Sequence, residues 1–142
     1  MMPWMLVYVC LLAINAWAYP RLNAHALEFI DLGRFYYLNV LLFAIVTECA
    51  LRGFVFKRLL NDKKMSFWAA TAITSVLYLM FVYGNGKPYT FIDRSSDLLM
   101  YDCLSKVVFS VVACGIYAQK RNLLWVISLA GVFYIILPLY IF

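Results

Sequence analysis

Four charged side chains stand inside otherwise apolar stretches of this sequence, and they form two pairs: Glu48 with Arg52, and Asp102 with Lys106. In each pair the acid precedes the base by four residues. On a helix this puts both side chains on one face, in the order that favours an intrahelical ion pair. A carboxylate so placed can act as a general base, take part in a proton relay, or be neutralised by its cation as a structural fastener. His25 is the one histidine. With no second imidazole to share a metal, it is expected to be solvated or to cap a helix. Cys10, Cys49, Cys103 and Cys114 show no CxxC spacing. They read as small hydrophobes in helix packing, and neither a disulfide framework nor a metal or cofactor site is indicated.

The elements that must position these charges are hydrophobic. The chain has 142 residues, of which 66% are hydrophobic and 13% charged, whereas about a quarter of residues are charged in soluble domains. Apolar stretches cover 2–19, 35–56, 66–84, 98–118 and 123–142, each near the roughly 17 to 25 residues that cross hydrocarbon. None shows the strict alternation of a membrane barrel strand. The expectation is an all-α integral membrane protein, about five transmembrane helices in one compact bundle spanning 1–142. Ala16-Trp17-Ala18 resembles a signal-peptidase site, but no Lys or Arg precedes the apolar run, so this segment is read as the first span.

Charge placement sets the orientation. Lys57, Arg58, Lys63 and Lys64 crowd the expected second loop, and Lys120 and Arg121 fill the fourth. The other two loops hold Arg21, Arg34, Lys87 and Arg94. The bias predicts a cytoplasmic N-terminus. It also accounts for the net charge of +5 without a nucleic-acid partner, since the cations cluster at span ends instead of forming a stripe. The loop at 20–34, with His25, is expected to form a short surface helix. Glu48 is expected about 12 Å deep, where a charge costs at least ~2.5 to 3.5 kcal/mol and must face protein or a watery cavity. Gly53, Ala69, Ala70, Ala72, Gly115, Ala130 and Gly131 are expected at close helix contacts.

The stretch Thr47-Glu48-Cys49-Ala50-Leu51-Arg52-Gly53-Phe54 resembles the first motif, EExxxRG, of the CAAX-processing and bacteriocin-processing (CPBP) membrane endopeptidases. The family's second motif, FxxxH, falls on the next helix, where Tyr78 stands in for the phenylalanine and Val82 for the histidine. The run from Gly115 to Trp125 looks like the family's glycine-ended helix, its short basic turn and the start of the last motif-bearing helix. The resemblance spans a core at 40–135. Thr47 replaces the first glutamate, and Gly131 and Ile135 stand about where the third motif places histidine and asparagine.

In that family the glutamate and histidines are thought to activate water and stabilise the oxyanion. The resemblance therefore implies a degenerate member, a pseudoprotease of a bacterial inner membrane that keeps Glu48 and Arg52 as a remnant motif. Its expected role is to bind another integral membrane protein, a peptide or a lipid, with Glu48, Arg52, Tyr78, Val82 and Gly131 around the former groove. Two further readings are a residual endopeptidase using Glu48 and a proton or ion path through Glu48, Arg52, Asp102 and Lys106. Asp102 and Lys106 are otherwise expected to be a self-satisfied buried ion pair.

Overall fold

A computed structural model describes residues 2–22, 34–84 and 96–136. Among these, the chain forms five helical rods and no strand. The first is α1 (Met2–Leu22). The second begins as α2 (Arg34–Glu48), widens into a π segment (Cys49–Phe56) and continues as α3 (Lys57–Asn61). Then come α4 (Phe67–Gly84), α5 (Ser96–Lys120) and α6 (Leu123–Ile136). The centre of the bundle is α5, which packs against α1, α4 and α6, while α2 lies along α6.

Two boundaries differ from the sequence reading. Lys57 and Arg58 lie in α3 and not in a loop, because long cationic side chains can extend into water while their backbone stays helical. Lys120 likewise closes α5, leaving only Arg121 and Asn122 before α6. His25, with its expected surface helix, and residues 137–142 of the last expected span lie outside the described residues.

Helix starts are chemically marked. Ala69 N–H donates to Ser66 Oγ at 3.3 Å, and Leu124 N–H donates to Asn122 Oδ1 at 3.0 Å. Each is an N-cap bond that satisfies an orphan donor of the following helix. Just before these caps sit Lys64 (φ 50) and Arg121 (φ 49), left-handed positions that glycine or asparagine usually fills.

The bundle buries polar groups within its apolar core and turns apolar side chains outward. Buried side chains include Asn15, Thr47, Glu48, Arg52, Thr71, Thr74, Ser75, Asp102, Ser105, Lys106 and Ser110. The outward faces carry large hydrophobics, among them Leu6, Val9, Leu42, Val46, Val76, Met80, Leu104 and Val132. A surface of this kind is far more apolar than water tolerates, and it suits acyl chains. Two described helices, Phe67–Gly84 and the Met100–Lys120 part of α5, are long and apolar enough to cross a bilayer.

Small residues permit the closest approaches. Gly115 on α5 lies under the Trp4 indole of α1, so a Cβ there would strike the ring. Gly53 faces Leu123 of α6, where an added Cβ would stand 3.2 Å from Cδ2. Ala70, Ala130 and Gly131 are buried and Ala69 is partly so, but Ala72 is exposed on the lipid side of α4. Cys114 is buried in the core, while Cys10 and Cys49 face outward and so do not pack as interior hydrophobes.

Replacing Gly115 with valine should force the Trp4 ring aside and destabilise the fold by about 1–3 kcal/mol, as overpacking does. An added Cβ at Gly84 meets no atom within 4 Å, so Gly84→Ala should be near neutral. Thermal unfolding of the two variants in one detergent tests the contrast.

Candidate functional site

The residues of the sequence motif converge on α5. Glu48, the last residue of α2, and Arg52, in the π segment, are both fully buried. Arg52 Nη1 donates to Glu48 Oε1 at 2.9 Å. A π segment in an otherwise α-helical rod is rare and concentrates at functional positions; here Leu51, Arg52 and Phe56 are its buried residues.

Arg52 has more donors than one carboxylate can accept, and α5 supplies the next partner. Arg52 Nη2 donates to Ser110 Oγ at 2.8 Å, and Ser75 of α4 donates to the same oxygen at 3.0 Å. The guanidinium carbon lies 4.8 Å from the centroid of Tyr78, an attractive cation–π contact away from water. Tyr78 in turn shares a hydroxyl hydrogen bond with Tyr134 of α6 at 2.5 Å. The aromatic layer continues through Phe109 and Phe133, stacked with centroids 4.3 Å apart. Four polar atoms in or near this core have no hydrogen-bond partner: Thr47 Oγ1, Glu48 Oε2, Arg52 Nε and Thr71 Oγ1.

Of the other residues expected around the groove, Val82 lies one turn beyond Tyr78 as a partly buried residue packed on the apolar core. Gly131 is buried where α6 meets α2, with Leu41 the nearest side chain to an added Cβ. The side chain of Ile135 is outside the described residues.

Asp102 and Lys106 form a second buried network on α5. Lys106 Nζ donates to Asp102 Oδ2 at 2.6 Å. Tyr83 of α4 donates to the same carboxylate oxygen at 2.9 Å, and its ring lies 4.6 Å from Lys106 Nζ. Both of these buried acids, Glu48 and Asp102, therefore hold a cation one helical turn away.

Comparison with known proteins bears on the origin of this arrangement. The model of the Type II CAAX prenyl endopeptidase Rce1-like family matches residues 31–136. The chain belongs to this family. No curated protein and no solved structure matches it. The Rce1-like segment contains both buried networks and everything from α2 to α6, and it is an integral membrane fold. Among the described residues, α1 lies before it.

Sequence reasoning found both ion pairs but not their supports. Ser110 carried a readable signal: Asp102, Lys106 and Ser110 recur every four residues and mark one polar face on an apolar helix. Ser75 and Thr71 show the same spacing before Tyr78. Asn15, whose Oδ1 accepts from Tyr101 and Ser105 at 3.0 Å each, has no such periodic companion on α1.

The Rce1-like core should respond to charge removal asymmetrically. Arg52→Met alone should cost about 3–5 kcal/mol, because Glu48 is left buried without its cation, whereas Glu48→Leu combined with Arg52→Met should recover most of that loss. Ser110→Ala should cost about 1–3 kcal/mol by stranding one Arg52 donor. Thermal unfolding of these variants in one detergent measures the cycle.

Proposed function

We propose that this Rce1-like chain is a non-catalytic membrane scaffold or accessory subunit, a pseudoprotease that binds another membrane protein, a peptide or a lipid. The observation that carries the reading is that Glu48 is fully buried and held by Arg52. A general base must come within hydrogen-bond reach of the proton it removes. Glu48 instead spends one oxygen on a guanidinium that is itself held by Ser110 and covered by Tyr78. Val82 and Gly131, where the resemblance would place histidines, sit in apolar helix contacts and have no group that transfers protons. A bundle with these features keeps a rigid helical surface for a partner in the bilayer of a bacterial inner membrane, its basic turns on the cytoplasmic side.

A second reading, a residual endopeptidase, is favoured by Glu48 Oε2, which has no hydrogen-bond partner, as the buried hydroxyls of Thr47 and Thr71 have none. Such a core has the acceptors and donors to hold a water molecule on the carboxylate.

Glu48→Gln separates the two. It keeps the shape and an acceptor for Arg52 but removes the base. On the scaffold reading, peptide processing in cells carrying the variant is unchanged, and a membrane protein that co-purifies with the parent still co-purifies. Loss of a processed peptide with intact partner binding would establish the peptidase instead. A parent protein that purifies alone, and whose deletion changes no other membrane protein's abundance, would overturn the scaffold.

A further inference from the structure

The basic end of the bundle contains a cavity that the Glu48 network does not use. It measures about 190 Å³ and is lined by Lys57, Leu60 and Asn61 of α3, Tyr117 and Ala118 of α5, and Arg121 of the following turn. Its cations come from α3 and from the turn after α5, far apart in sequence, and the fold brings them to one cavity. Lys57 and Arg121 have no acidic partner among the described residues, whereas neighbouring Arg58 pairs with Asp62 at 3.4 Å and lies over Phe54. We propose that this cavity binds the phosphate headgroup of an anionic phospholipid, with Lys57 and Arg121 on the phosphate and Asn61 as a neutral hydrogen-bonding group.

Three observations support this assignment. The first is the backbone of Arg121. Its φ of 49 and the bond from its N–H to the Tyr117 carbonyl at 2.7 Å make it the left-handed cap of α5. Glycine is the unstrained residue for such a position. This cap sets the backbone of Arg121 at the cavity that the residue lines.

The second is depth. Trp4, Trp68 and Trp125 stand within a few residues of the starts of α1, α4 and α6, and Trp68 and Trp125 are exposed. Helices that start at the end carrying Lys57 and Arg121 bring their tryptophans to that end, where indoles mark the headgroup level. The third is the lining, which joins these cations to Leu60 and Ala118. That mixture fits the junction of a headgroup and its acyl chains better than a free ion. Basic pockets between membrane helices bind anionic headgroups for this reason. The site does not rest on whether Glu48 has kept or lost a catalytic role.

Native mass spectrometry of the full chain, titrated in detergent with phosphatidylglycerol, phosphatidylcholine or inorganic phosphate, tests the site. Phosphatidylglycerol should be retained at least tenfold better than phosphatidylcholine, and millimolar phosphate should not displace it. Arg121→Gly, which suits φ 49 and should melt no lower than the parent, should weaken retention at least fivefold. Lys57→Gln should do the same in a helix that needs no rearrangement. Lys63→Gln with Lys64→Gln, which removes two cations outside the cavity lining, should change retention less than twofold. Equal retention of the two lipids, displacement by phosphate, or equal losses in the cavity and off-cavity variants would each overturn the proposal.

Discussion

Burial of the Arg52 guanidinium is the constraint around which the bundle is organised. A buried cation with five donors needs more partners than one carboxylate supplies. The remaining requirements recruit Ser110 from α5, Ser75 from α4 and the face of Tyr78, and Tyr78 in turn engages Tyr134 of α6. Four rods thus meet at one side chain. Helices in lipid gain little from burying apolar surface against one another, so such polar contacts and close packing must set which faces meet.

The second network serves a similar purpose elsewhere on α5. Asp102, Lys106 and Tyr83 fix α4 against α5, while the aromatic stack of Phe109 on Phe133 fixes α6. Because α5 carries residues of both polar networks and of the stack, it cannot turn those faces towards lipid without breaking one of them. Its burial follows: most of its side chains from Asp102 to Tyr117 are buried or partly buried, whereas α4 and α6 each keep an exposed apolar face.

How much of this was legible in the sequence depended on the distance over which each feature is encoded. The membrane class, the helical content and the two ion pairs are local properties, carried by runs of apolar residues and by spacings of four. Ser110 lies 58 residues from Arg52, and its pairing requires knowing how α5 is rotated. The rule that small residues mark contacts identified Gly115 but also named Ala72, because residue size alone does not say which face meets a neighbour. The widening at Cys49–Phe56 escaped because a single helical period was assumed throughout. Membership of the Rce1-like family was readable from Glu48, Arg52 and the order of the later motifs, since these lie within or just beside helices whose sequence order the family shares.

The position of α1 ahead of the Rce1-like segment has a consequence for biogenesis. This helix leaves the ribosome before α5, yet the amide oxygen of its polar anchor, Asn15, accepts from Ser105, ninety residues later in the chain. Until α5 is synthesised, Asn15 must sit in hydrocarbon without that partner, and Gly115 is not yet present to receive Trp4. An amide in this state carries a standing desolvation cost. The insertion machinery, or a neighbouring membrane chain, therefore has to hold α1 while the ninety residues that lead from Asn15 to Ser105 are being made.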